Sequence, residues 1–370
     1  MPVPDQRDPE ITRTQLEGWL RGRLAGATDV RVARAQTPST NGFSAETLIF
    51  DAEWQADGAA RRGSYVAKVA PTGYQIFPEP RFGEQYQLLQ ILAGAGVKVP
   101  DVHWYEPDQG LLGAPFYVMS RVGGQAPTDM PPYHTDGWVT EVSPEIRERM
   151  WWSGLEVLAQ VHGLDVDGLG LGFVDQQQYG PTGLRQRLAY WRHYLSWAYE
   201  GGVPVADAAL RWLEDNMPPE PDPPVLLWGD SRIGNILYHD GEPTAVLDWE
   251  MATLGQPEED LAWFLYLDRH HGEGCGVPRL PGFPSPEETI ARYEQLAGRP
   301  MRHMDYYEVL SALKFTAVMA RIGQLFIHYG LVPADSDFPY NNTASQLLAK
   351  TLGLPPPGGE PDAPDLRDVS

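Results

Sequence analysis

The hydrophobic pattern changes period once, near residue 122, and that change limits the folds open to this chain. Before it, VRVARAQ (residues 30–36) alternates like a strand. The polar, turn-rich TPSTNGFSAETLIF then feeds a second strand from about Thr47 to Trp54. Asp57-Gly58 is a hairpin-turn signature. SYVAKVAP, which carries Lys68 near its end, VPDVHWYEP and PFYVMSRV read as further strands, and EPRFGEQYQLLQILAGAG reads as a helix closing at Gly94 or Gly96. The first 120 residues are thus expected to form a mostly antiparallel sheet with one helix after the lysine strand. Ahead of them, residues 1–10 look loose, and Thr12 is a candidate cap for a helix through Leu24.

Beyond residue 122 a Gly/Pro-rich connection (123–143) leads into helical periodicity. Trp151, Leu155, Leu158 and His162 share one face of a helix over 144–163. Segments 183–199, 205–216, 286–297, 303–330 and 341–352 are read as helices. Short strands are expected near 225–228, 236–238 and 244–248. The fold class is α+β, with a small sheet region followed by a larger, mainly helical one. The expected division is 1–29 extension and helix, 30–122 sheet part, 123–354 helical part, and 355–370 a disordered tail by composition.

With 370 residues the chain is long enough for about two folded units. No uninterrupted apolar run of membrane-spanning length is present, so no membrane span is expected. The N-terminus lacks the pattern of a signal peptide. Cys275 is the only cysteine, which excludes an internal disulfide, and a cytoplasmic location is the default expectation. No H-E-x-x-H pattern occurs among the histidines, and no zinc site is expected. A net charge of −22 argues against a nucleic-acid coat or an anionic-lipid surface as partner. Lysine is scarce, only Lys68, Lys98, Lys314 and Lys350 against 24 arginines, so a lysine placed inside a strand invites a functional question.

The stretch LLWGDSRIGNILYHDGEPTAVLDWE collects acids at the ends of short apolar runs. Asp230 is followed five residues later by Asn235, and Asp248 comes thirteen after that. Magnesium takes carboxylate and amide oxygens together with substrate phosphates, which suits Asn235 and Asp248. Asp230 would then be available to orient a hydroxyl and accept its proton, and phosphoryl transfer asks for little more covalent help than that. Lys68 is the candidate cation for nucleotide phosphates, with Glu84 on the following helix as its ion-pair partner.

WGDSRIGNIL followed by LDWE resembles the catalytic segment of the aminoglycoside phosphotransferase family, which has the protein-kinase-like fold. ATLGQPEEDLAW extends the likeness and is most similar to the kinase-like domain fused to some acyl-CoA dehydrogenases. The resemblance implies a two-lobed protein-kinase-like fold that uses ATP and Mg2+ to phosphorylate a hydroxyl of a small molecule. It implies Asp230 as catalytic base and Asn235 and Asp248 as metal ligands. Lys68 would contact the α- and β-phosphates, with Glu84 as its helical partner. The backbone of Ser120 and Val122, in MSRV, would meet the adenine edge. TPSTNGFS would cover the phosphates, with Asn41, Gly42 and Phe43 at its tip. One departure stands out: the family's usual His two residues before the aspartate is Trp228 here. It leaves open a catalytically weak nucleotide-binding regulator on the same fold. A metal-dependent phosphoesterase is a poorer fit, having too few ligands and no use for Lys68. Asp260 is expected to brace the loop from below. Arg232 could face the transferred phosphate or form a salt bridge. Trp191, Tyr194, Trp197 and Tyr199 are expected as helix core rather than a substrate wall. The acceptor's identity, a preference for ATP over GTP and the oligomeric state have no signature in the sequence.

Overall fold

A computed structural model describes residues 7–36, 44–220 and 222–358. These pack as two compact units. One holds the described residues up to 90 together with 100–122, and the other holds 91–99 together with those from 123 to 358. The fold is α+β, an antiparallel sheet in the N-terminal part followed by a mainly helical remainder.

In the N-terminal part, α1 (Pro9–Arg23) precedes strands β1 (Thr28–Gln36), β2 (Glu46–Ala56) and β3 (Ala59–Val69), helix α2 (Phe82–Gly94), whose residues from 91 on fall in the second unit, strand β4 (Val102–Glu106), the single turn α3 (Gln109–Leu112) and β5 (Phe116–Ser120). The sheet order is β1-β2-β3-β5-β4, with every pair antiparallel. Asp57 (φ 51°) and Gly58 (φ 73°) both take left-handed conformations, as a two-residue hairpin turn between twisted strands requires. Alternate residues of β2 and β3, among them Leu48, Phe50, Ala67 and Val69, fill the core. On α1, Leu16 and Leu20 are fully buried, and Trp19 meets Trp104 and Phe116 edge-on at 5.7 and 5.1 Å. The start of α1 differs from expectation. Asp8 is the cap, accepting from the N–H groups of Glu10 and Ile11, and Pro9 opens the helix, where its missing N–H costs nothing. Thr12 lies inside the helix, buried. The loop tip Asn41, Gly42 and Phe43, the first six residues and the tail from 359 lie outside the described residues.

The second unit contains α4 (Trp138–Glu141), α5 (Pro144–His162), α6 (Leu184–Ala198), α7 (Pro204–Asp215), β6 (Val225–Leu227), β7 (Ile236–His239), β8 (Glu242–Val246), β9 (Thr253–Gly255), α8 (Pro257–Arg269), α9 (Pro286–Ala297), α10 (Met304–His328) and α11 (Thr343–Thr351). Helix α8 has no counterpart in the sequence reading. Eleven of its thirteen residues are buried, acids included, so it lacks the one-sided apolar stripe that marks a helix. Helix α10 is long and apolar enough to cross a membrane, although the chain shows no unbroken apolar run. In the fold it is a core helix packed against α6, α7, α8 and α11, and it carries the fully buried Lys314. Trp191 and Tyr194 are core residues, as expected of the α6 aromatics, whereas Trp197 lies half-buried beneath the Arg321 guanidinium at 3.9 Å.

Candidate active site

Acids gather at the strand ends because the strands are short and their ends turn sharply. β6 pairs with β9 over three residues, and β7 pairs with β8 as a hairpin. Gly229 leaves β6 with φ 86°, and a Cβ there would lie 2.1 Å from the Met251 carbonyl oxygen, so only glycine fits. Beyond β8, Leu247 N–H donates to the Asn235 carbonyl at 2.8 Å. Asp248 follows at φ 55°, a left-handed conformation held at a non-glycine residue. Such strain costs on the order of 1 kcal/mol and persists only where the surroundings enforce it.

Asp260, fully buried on the first turn of α8, supplies the brace expected of it. Its carboxylate accepts from Trp228 N at 2.7 Å, Gly229 N at 3.0 Å and His162 Nε2 at 3.1 Å. Its carbonyl accepts the Ser231 hydroxyl at 2.7 Å. Trp228, with no solvent exposure, sends its indole N–H to the carbonyls of Leu247 and Asp248.

On this support both carboxylate oxygens of Asp230 are held. Oδ1 accepts the Trp263 indole N–H at 2.9 Å, while Oδ2 accepts Asn235 Nδ2 at 2.6 Å and Arg232 Nε at 3.2 Å. Asn235 is 2% exposed, and its Nδ2 also reaches the Asp230 carbonyl at 3.1 Å. Both bonds use the amide nitrogen, which leaves Oδ1 of Asn235 on the opposite side of that amide. Asn235 offers an amide oxygen and Asp248 a carboxylate, the all-oxygen donor chemistry that magnesium takes.

Arg232 takes the salt-bridge alternative. Nη1 meets both oxygens of Asp129, at 2.6 and 2.7 Å, and Nε meets Asp230. His271 Nε2 stands 3.3 Å from Asp129, and its Nδ1 bonds the Leu267 carbonyl at 2.7 Å. Burial alone would raise the Asp129 carboxyl, but the Arg232 charge and then the His271 contact reverse this and hold it below the carboxylate range. Burial likewise acts to lower the Arg232 guanidinium, and Asp129 and Asp230 more than offset it.

The remaining expected residues lie in the sheet unit. Lys68 sits on β3 opposite Thr47 and Tyr117. Glu84, on the first turn of α2, ion-pairs with Arg81, the residue just before the helix. Ser120 ends β5. Its N–H is committed to the Asp101 carbonyl at 2.8 Å, which narrows its expected adenine contact to the carbonyl side. Val122 follows, half-buried.

Sequence reasoning missed Trp263 and Asp129. Trp263 lies 33 residues from its partner Asp230. Asp129 falls in a segment read as plain connection. Neither bond leaves a local signature.

A family model described as the phosphotransferase enzyme family (APH) matches residues 49–303. Acyl-CoA dehydrogenase family member 11 of Gallus gallus is 33% identical over 305 residues, 79% of this chain and 38% of that protein. The Rattus norvegicus protein of the same name is 26% identical over 92% of this chain and 44% of its own length. The chain therefore spans less than half of these relatives. Among solved structures, a putative aminoglycoside phosphotransferase of Ralstonia eutropha JMP134 superposes with TM-score 0.66 at 23% identity, covering 91% of this chain and 95% of that one. A thermostable mutant of aminoglycoside phosphotransferase APH(4)-Ia, in ternary complex with AMP-PNP and hygromycin B, gives 0.55 at 16% identity, covering 91% and 98%. An ethanolamine kinase of Plasmodium vivax gives 0.55 at 13% identity, covering 85% and 81%. At these identities the structural likeness is one of fold.

Proposed function

The chain belongs to the phosphotransferase enzyme family, and we propose that it is a small-molecule kinase moving the γ-phosphoryl group of ATP to an acceptor hydroxyl. The observation that carries this reading is the state of Asp230. Its carboxylate is fixed by three donors, from Trp263, Asn235 and Arg232, on a loop that Asp260 clamps from below. A carboxylate so oriented can hold a hydroxyl and take its proton. The acceptor oxygen attacks the γ-phosphorus, its proton passes to Asp230, the bond to the bridging oxygen breaks, and ADP leaves. Positioning and charge neutralisation do most of the work in such a transfer.

Asn235 and Asp248 would hold magnesium, which when bound neutralises phosphate charge. Lys68 would meet the α- and β-phosphates, and Ser120 and Val122 the adenine edge. Glu84, which pairs with Arg81, would support Lys68 from the following helix. Neighbours of the same fold carry names of kinases for ethanolamine and phosphotransferases for aminoglycosides, which supports a small hydroxyl compound as acceptor. The one feature favouring a weak regulator was Trp228. It is a buried donor to the backbone carbonyls of Leu247 and Asp248, a structural role compatible with turnover.

Calorimetry of ATP binding with and without magnesium tests the reading, on the wild type, Asp248→Ala and Asp230→Ala, with slow ATP hydrolysis followed in the same samples. Magnesium-dependent binding should be lost in Asp248→Ala. Asp230→Ala should keep it while losing turnover by about a thousandfold. Equal turnover in Asp230→Ala would sink the base assignment, and a wild type that binds no nucleotide would sink the kinase.

A further inference from the structure

Lys314 is one of only four lysines in the chain, and it is fully buried. Buried ion pairs are seldom needed for stability, since well-packed apolar groups replace them readily. What the lysine faces is therefore informative. Its Nζ lies 3.0 Å from Glu259 Oε1 and 4.6 Å from the centroid of the Trp263 ring. Glu259 is tied in turn to Arg187, whose Nε and Nη2 approach it at 3.2 and 3.1 Å, and Arg187 Nη1 donates to Gln176 at 3.1 Å. Phe315 meets Trp263 edge-on at 6.0 Å.

Trp263 is 2% exposed, and its indole N–H holds Oδ1 of Asp230. A cation against the face of an indole draws on its π-electrons and makes the ring N–H a stronger donor. A continuous line of contacts thus runs from the Arg187–Glu259–Lys314 cluster through the Trp263 ring to one carboxylate oxygen. The other oxygen is held separately by Asn235 and Arg232. Among the described residues, Trp263 is the donor that keeps the carboxylate from turning about that second anchor.

We propose that Trp263, seated on Lys314, is a positioning residue for Asp230 whose indole N–H keeps the carboxylate in the one orientation that meets the acceptor hydroxyl. This rests on Asp230 as the base, and the test separates the two. Turnover of ATP with water as acceptor is measured by release of labelled phosphate over hours, alongside calorimetric ATP–magnesium affinity. The proteins are the wild type, Trp263→Phe, Lys314→Met, Asp230→Asn and the Trp263→Phe/Asp230→Asn double variant.

Trp263→Phe keeps an aromatic ring over Lys314, loses the donor and gives up part of the indole volume. It should lower turnover about tenfold with nucleotide affinity unchanged. In the Asp230→Asn background the same substitution should cost less than about twofold, because the residue acts through a group already disabled. Lys314→Met leaves the N–H in place and Glu259 paired with Arg187, and it should lower turnover about threefold. Equal losses from Trp263→Phe in both backgrounds would make Trp263 merely structural and overturn the proposal. So would wild-type turnover in both Trp263→Phe and Lys314→Met while Asp230→Asn is inactive. If Trp263→Phe fails to fold, Lys314→Met decides, with wild-type turnover overturning the proposal. Wild-type turnover in Asp230→Asn would instead overturn the base assignment beneath it.

Discussion

The indole N–H of Trp228 lies 2.9 Å from the Leu247 carbonyl oxygen and 3.3 Å from that of Asp248. A single buried donor therefore spans the two residues at which the chain enters its left-handed turn. The backbone N–H of the same tryptophan is held by Asp260 on α8. The strained conformation of Asp248 is thus tied through one side chain to the most deeply buried acid of the unit.

Removing that donor should act on Asp248. Trp228→Phe keeps an aromatic ring, gives up part of the buried indole volume and orphans two carbonyls, a loss of about 1–3 kcal/mol of stability or somewhat more. With the strained turn released, magnesium-dependent ATP affinity should fall about tenfold, read by calorimetry beside a denaturant melt. Trp228→His restores a ring N–H and should recover part of the affinity. Affinity unchanged in Trp228→Phe, with only stability lost, would reduce the tryptophan to packing.

Gly229→Ala should be far harsher. A Cβ would sit 2.1 Å from the Met251 carbonyl oxygen, and φ is 86°. Backbone has to move on one side or the other, at a cost of several kcal/mol, roughly 3 or more. The melting midpoint should drop by many degrees, and any folded fraction should have lost turnover. A stable, active Gly229→Ala protein would mean that the turn after β6 is looser than it stands here.

Much of the scaffold was readable in local patterns. The alternation of β1 to β3, the Asp57-Gly58 turn and the apolar faces of α5, α6 and α9 each follow from neighbours within a few residues. What escaped was non-local or masked by burial. Helix α8 has acids on its buried side, because Glu259 meets Arg187 and Lys314 while Asp260 meets the loop, so no amphipathic stripe survives. The acids of the site were legible by type and spacing. The tryptophans that orient them were not, since a buried indole looks like core until its N–H is located.

Acid should expose the buried cluster under Trp263. Burial alone would raise the Glu259 carboxyl; Arg187 first and Lys314 next override it and hold it down to about 2, against an ordinary 4.5. A depressed folded pKa gives stability that is complete above the unfolded value and is lost as pH falls through the folded one. Stability by denaturant melts should therefore decline between about pH 4.5 and 2. Glu259→Gln should flatten that decline and, at neutral pH, cost about 3–5 kcal/mol by leaving two buried cations short of a counter-charge. An acid slope unchanged in Glu259→Gln would assign the acid sensitivity to other carboxylates.

Arg232 lies within the candidate catalytic loop and could be taken for a phosphate-binding residue. In the structure its guanidinium is committed on both sides, Nη1 to Asp129 at 2.6 Å and Nε to Asp230 at 3.2 Å. Its contribution is then to separate two carboxylates and to supply one of the three donors that orient Asp230. Arg232→Met should leave ATP–magnesium affinity within about twofold of wild type, since no phosphate contact is removed. Turnover should fall about tenfold, because Asp230 loses a charged donor and faces a less neutralised Asp129. Adding Asp129→Asn to that variant removes the second negative charge and should restore part of the turnover, a non-additivity expected of residues in one network. A loss of nucleotide affinity beyond tenfold in Arg232→Met would instead mean that the guanidinium leaves its carboxylates for the phosphates when nucleotide is bound. Asp129→Asn would then bring no recovery.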